Sequence, residues 1–309
     1  MSPIQQYWWR VGLELKLRQS SGEAFQDFFA DLMSAAHGDG YVRVRPYGQL
    51  GDKGCDGYLA SSARVHACYG AVNADGSKVS YLIGKMETDF AKAKAHLGAV
   101  MKQWFVTHNL VDGLPIEAVL KLQEMEKANP GVTFGFAAME SMAEILLALP
   151  VAKIETLVGP AATASESQNL DAIELKGVID AVIAAVDESP TQVGEVKEVS
   201  PQKLAHNNLS GHWRQLLTFG FQNAIHVAAY FDKHPEPLTG ERVAQRFRHR
   251  YAYLRAEHLS ADAIMSNLYT MILGVGTPSA ARSVAAQALL AHLFESCDVL
   301  EDAPVAAAS

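Results

Sequence analysis

Three cysteines in 309 residues, Cys55, Cys68 and Cys297, are too few and too scattered for a disulfide scaffold or a zinc ribbon. Charge is sparse too: 19% of residues are charged against 49% hydrophobic, which excludes a disordered chain and calls for a folded core. No stretch of about eighteen apolar residues is free of charge or of helix-ending residues, so no membrane span is expected. Residues 1–18 lack a basic region followed by a continuous apolar run and do not read as a signal peptide. Basic residues are outnumbered, 26 Lys and Arg against 34 Asp and Glu, for a formal charge of −8. That balance argues against general coating of nucleic acid and leaves room for a local basic groove. Together these features predict a cytoplasmic, reduced protein.

Several catalytic signatures are missing as well. There is no Gly-x-Ser-x-Gly elbow. The glycine-rich residues 48–57 lack the Gly-Lys-Ser/Thr ending of a P-loop and run into a strand rather than a helix. His206 and His212 have no matching cysteine pair, so a zinc site is not expected. His226 lies on an apolar helix and reads as a core histidine. Cys68 has no activating base at fixed spacing, and Cys297, at an apolar helix end, reads as buried and inert. No internal repeat is present.

What the chain does contain is an alternation of periods. Phe25, Phe28, Phe29, Leu32 and Met33 recur at three- and four-residue steps and predict a helix over residues 22–36, capped by Ser20 or Ser21, with Glu23 in its first turn. Residues 41–45 alternate strictly, with Val42 and Val44 on one face. Strands are expected at Tyr58-Leu59 and residues 64–69, a helix from about residue 80 to 88 or 99, and a buried strand at Trp104-Phe105-Val106. Pro115 opens the next helix and Asn129-Pro130-Gly131 closes it. A strand over 132–136 and a helix over 140–149, ended by Pro150, complete an α/β domain with a mixed sheet flanked by helices. Residues 159–169 are small, polar and aperiodic, and read as a linker. Beyond it Leu175, Val178, Ile179, Val182 and Val186 form one helical stripe, and further helices are expected at 215–231, 240–257, 260–273 and 279–297. The domain reading is thus 1–158 α/β, 159–169 linker and 170–309 all-α.

Chemistry is suggested by Glu23 on the first predicted helix and Asp56 at the start of a hairpin strand. Two carboxylates so placed can hold Mg²⁺, which activates water and neutralises charge on a phosphodiester. Such sites finish with an acid or amide two residues before a lysine on the next strand, where this chain has Val65-His66-Ala67-Cys68-Tyr69. Lys85 on the following helix is the candidate for the missing lysine, and His66 for a nitrogen ligand. The plain alternative is that Glu23 serves the helix terminus while Asp52 and Asp56 shape a glycine-rich turn. A second candidate surface is a basic helix, with Arg242, Arg246, Arg248, His249, Arg250 and Arg255 around Tyr251 and Tyr253. It suits a phosphate backbone or an acidic partner. Pairing with Glu241 and Glu257 on a solvated face explains it equally, with Phe247, Tyr251 and Leu254 docking into a helical core.

Two stretches carry a family resemblance. Residues 21–29 (Ser-Gly-Glu-Ala-Phe-Gln-Asp-Phe-Phe) followed by residues 46–58 (Pro-Tyr-Gly-Gln-Leu-Gly-Asp-Lys-Gly-Cys-Asp-Gly-Tyr) resemble the N-terminal domain of bacterial ABC-three-component system proteins. Residues 289–301, with their Phe-Glu-x-Cys-Asp run, resemble the last helix of the C-terminal helical domain of those proteins. The resemblance implies an N-terminal domain like the PD-(D/E)xK restriction-endonuclease fold, with Glu23 and Asp56 at its first two acidic positions. Ala67 and Tyr69 then stand near the places of the Glu/Gln-x-Lys pair. It further implies an SMC- or Rad50-like ABC ATPase and a small middle component as partners, in defence against phage or plasmid DNA reached through the complex. The leading expectation is therefore a defence component with a degenerate nuclease-like module. The alternatives are an active Mg²⁺-dependent DNA endonuclease and a structural adaptor binding protein only. A homo-oligomer is compatible with all three.

Overall fold

In a computed structural model, residues 2–46, 51–72, 78–185, 209–274 and 278–296 are described. Gly48, Val186, His206 and, in the run 289–301, residues 297–301 with Cys297 lie outside them. The chain divides into two compact units, residues 12–158 and residues 1–11 with 159–309. Helix α1 (Pro3–Gln19), absent from the sequence expectation, contributes residues to both.

The first unit is built on α2 (Gly22–His37), whose Phe25, Phe28, Phe29, Leu32 and Met33 are buried at the expected spacing. The predicted serine cap is replaced by backbone. Ser21 makes no side-chain cap bond, and the Gly22 amide donates instead to the carbonyl of Gly70 at 3.0 Å. The five strands are β1 (Tyr41–Arg43), β2 (Gly57–Leu59), β3 (Arg64–Tyr69), β4 (Gln103–His108) and β5 (Thr133–Ala137). They lie in sequence order, with β1, β2 and β3 antiparallel and β4 and β5 added in parallel. The parallel steps require crossovers, and α3 (Val79–Leu97) and α4 (Ile116–Ala128) supply them. β1 is shorter than its sequence pattern. As an edge strand it turns Tyr41 inward and leaves Val42 51% exposed.

Alternation along β3 separates the two faces. Val65, Ala67 and Tyr69 join Leu82, Met86, Phe90, Trp104, Leu122 and Phe134 in a core under α3 and α4. His66 points to the other face, where its ring centroid is 5.0 Å from that of Phe29 on α2. The helix predicted over 140–149 ends earlier, as α5 (Met139–Leu147), and Pro150 starts α6 (Val151–Val158) rather than a loop. Asn109, just after β4, ties this unit together. Its side-chain amide donates to the carbonyls of Leu17, Ser20 and Ala71 and accepts from the Ala71 amide at 2.7 Å.

The second unit is helical: α7 (Ala172–Ala184), α8 (Gly211–Asp232), α9 (Thr239–Ala256), α10 (Ala261–Leu273) and α11 (Ala280–Ser296). Asp171 caps α7 by accepting from the amides of Ile173 and Glu174, and Ser260 caps α10 through Ala263. Helix α11 is apolar nearly all round, so it is central and packs on α7, α8 and α10. Gly220 is required where α8 crosses it, because a Cβ there would stand 2.7 Å from Ala291 Cβ and from the Gln287 carbonyl. Residues 159–169 run along this unit, with Ala162 and Ser167 buried and the Ser167 carbonyl accepting from Asn223. His226, expected in the core, is exposed, because α8 buries the opposite face through Leu217, Ala224 and Val227. Among the described residues no helix is long and apolar enough to cross a membrane.

Candidate functional site around Asp56

The loop entering β2 is pressed onto α3. Gly54 has φ +72°, and a Cβ at that position would lie 2.1 Å from the Asp89 carbonyl, so only glycine fits. The Asp52 carboxylate folds the turn by accepting from the Gly54 amide at 2.8 Å. Two residues later the ladder is irregular. Gly57 pairs with His66 in register, yet the Asp56 amide also donates to the His66 carbonyl, at 2.8 Å. Asp56, just before β2, and Gly57, its first residue, thus both address His66 of β3 in the manner of a β-bulge, and such bulges re-aim a side chain. Here the Asp56 carboxylate turns back and accepts from the Cys68 amide at 2.6 Å.

Burial dominates the electrostatics of Asp56. It pushes the carboxyl pKa up to about 6, against the pull of the Cys68 N–H and of Lys85, and Asp52 and Asp89 add to the rise. Lys85 Nζ is 2.5 Å from Asp89 Oδ2. Burial works against the Lys85 charge, but its bond to Asp89 and the fields of Asp89, Asp56 and Asp52 outweigh that and hold its pKa above the usual lysine value. Burial pushes the Cys55 thiol up to about 12 and that of Cys68 well above its usual value, so both are held as thiols rather than nucleophilic thiolates.

The structure therefore brings Asp56 and Lys85 together, as the sequence suggested, with Asp52 and Asp89 around them. Glu23 is placed differently. It is exposed in the first turn of α2, and its charge acts on Arg43, the same guanidinium on which Asp56 acts. Arg43 itself forms an ion pair with Asp27. His66 is directed away, into the aromatic face, with Nδ1 2.8 Å from Thr107 Oγ1. Ala67 and Tyr69 belong to the core under α3. Sequence reasoning missed Arg43 and Asp89. The four-residue step from Lys85 to Asp89 on one helix was the available signal for Asp89.

In the helical unit, Arg242, Arg246 and Arg250 share one side of α9 at four-residue steps. Arg242 pairs with Glu236 at 2.9 Å and Arg248 with Glu241 at 2.6 Å. Arg250 reaches Asn267 at 3.5 Å and lies over the Tyr253 ring, 5.3 Å from its centroid. Phe247 and Leu254 are buried, as the docking stripe requires.

No curated protein and no solved structure matches the chain. Residues 174–301 match the family model of C-terminal domain 10 of the ABC-three component systems, which spans the helices α7 to α11. The helical unit thus carries a C-terminal domain of the ABC-three component systems.

Proposed function

We propose that the α/β unit is a nuclease-like module of the PD-(D/E)xK kind that has lost hydrolytic function, and that the helical unit assembles it with the rest of its system. Membership implies partnership with the other components, an ABC ATPase among them. The nuclease-like likeness is supported by the order of a helix, three antiparallel strands, a helix and a parallel strand.

The loss of function rests on one observation: cations of the chain itself occupy the surroundings of Asp56. Lys85 pairs with Asp89, Arg43 feels both Asp56 and Glu23, and one Asp56 oxygen accepts from Cys68. Mg²⁺ requires several oxygen ligands free to face it at about 2.1 Å. This donor set does not fit such an ion, and no step is derived through one. In this reading the acidic residues are structural anions for Lys85 and Arg43. The module serves a defence complex, directed at phage or plasmid DNA, by assembly rather than cleavage.

The proximity of Lys85 to Asp56 favours the active Mg²⁺-dependent endonuclease as second reading. Incubating the full chain with the cognate ATPase and plasmid DNA in Mg²⁺ or Mn²⁺ separates the two. Intact plasmid is expected, and cutting that Asp56→Ala abolishes would reverse the choice. Failure of the helical unit to bind any component of the system would support neither.

A further inference from the structure

We propose that the outward face of α9 binds single-stranded nucleic acid, with its arginines on phosphates and Tyr253 beneath a base. The inference is independent of the nuclease-like reading, because it concerns the other unit. Residues 239–258 hold five arginines and two glutamates, with no lysine or aspartate, a local charge of +3 in a chain of −8. The helix buries Val243, Ala244, Phe247 and Leu254. Steps of four, three and four residues then align Arg242, Arg246, His249 and Tyr253 on the opposite side. The row spans about 16 Å of helix, the axial length of about five stacked nucleotides.

Three features select the ligand. The cations are guanidinium forks, which match phosphate oxygens in pairs better than ammonium groups do. The Arg242 pair is exposed on both sides, Arg242 being 53% and Glu236 68% accessible, so it is weak and can exchange for phosphate. Tyr253, 54% exposed, is steadied by the Arg250 guanidinium and presents an aromatic surface on which a base can stack. An acidic polypeptide would satisfy the arginines and leave the ring unused. A duplex would hide its base faces from it.

The test is anisotropy of a labelled oligothymidylate of about 20 nucleotides with the full chain, at about 50 and 200 mM salt. Affinity should fall about ten-fold or more across that range. Tyr253→Ala should weaken binding about ten-fold and Tyr253→Phe should restore it. Arg242→Glu with Arg246→Glu should remove binding while the circular dichroism stays native. Should that pair misfold, Arg242→Gln with Arg246→Gln replaces it, with weaker binding expected. The proposal is overturned by salt-independent or absent binding, by a silent Tyr253→Ala, by a matched duplex binding equally well, or by poly-glutamate competing as well as the oligonucleotide.

Discussion

Asp56 is costly where it stands. A carboxyl whose folded pKa is about 6, above its unfolded value of 3.8, favours the folded state only when protonated. Its contribution is therefore present at low pH and is lost as pH rises through about 4 to 6, a penalty of about 3 kcal/mol at neutral pH. Asn keeps an oxygen for the Cys68 amide and carries no charge. Asp56→Asn is expected to raise unfolding stability by about 1 to 3 kcal/mol at pH 8, with the gain vanishing toward pH 4. Urea titrations at the two pH values check this, and a loss of stability at pH 8 would show that the Asp56 charge is held by an attraction stronger than the cost of its burial. The residue was visible in the sequence as an acid opening a hairpin strand. Its bulge was not, because a bulge is decided by the register of two strands and by the crowding of Gly54 against α3.

At the scale of elements, periodicity carried most of the fold. The buried stripe of α2, the alternation in β3 and the proline punctuation of α4 follow from side chains that must share a face. What escaped depends on contacts between distant segments. The Ser21 side chain makes no cap bond: the Ala24 amide donates to the Ser21 carbonyl and the Gly22 amide to the distant Gly70 carbonyl. Helix α1 has its polar and apolar residues poorly segregated, so its pattern announced little. Asn109 looks like an ordinary polar residue after a strand, yet it joins α1, the loop before α2 and the loop after β3. Asn109→Ala leaves three buried carbonyls short of a donor, and about 3 kcal/mol of destabilisation is expected from the urea midpoint. A change under about 0.5 kcal/mol would mean that other donors reach those carbonyls.

For the whole molecule, buried histidines decide the response to acid. Burial lowers His66 to about 3 and His108 to about 4, and neither Nε2 has a hydrogen-bond partner among the described residues. Both stay neutral in the fold while the unfolded chain takes up protons below about 6.5, so their contribution is present above that pH and lost as pH falls. Two histidines acting against one Asp56 leave stability about 2 kcal/mol lower at pH 5 than at pH 7, and chemical denaturation at those pH values reads it directly. A flat profile would contradict the burial of both rings.

Charge at this scale sharpens the functional reading too. The net −8 spreads over a chain that gathers five arginines on α9 and sets Arg43 and Lys85 among carboxylates. The acidic pair was legible in the sequence. Lys85 was legible beside it as the candidate for the missing lysine, whereas Arg43 was not, because it reaches the field of Asp56 and Glu23 only through the fold.

In the proposed function these cations stand in place of a metal. Titration of Mn²⁺ into the full chain, followed by its electron paramagnetic resonance signal, tests it most directly. No saturable site is expected up to about millimolar metal, with Asp56→Asn indistinguishable from the parent. A saturable site below that concentration, lost in Asp56→Asn, would contradict it.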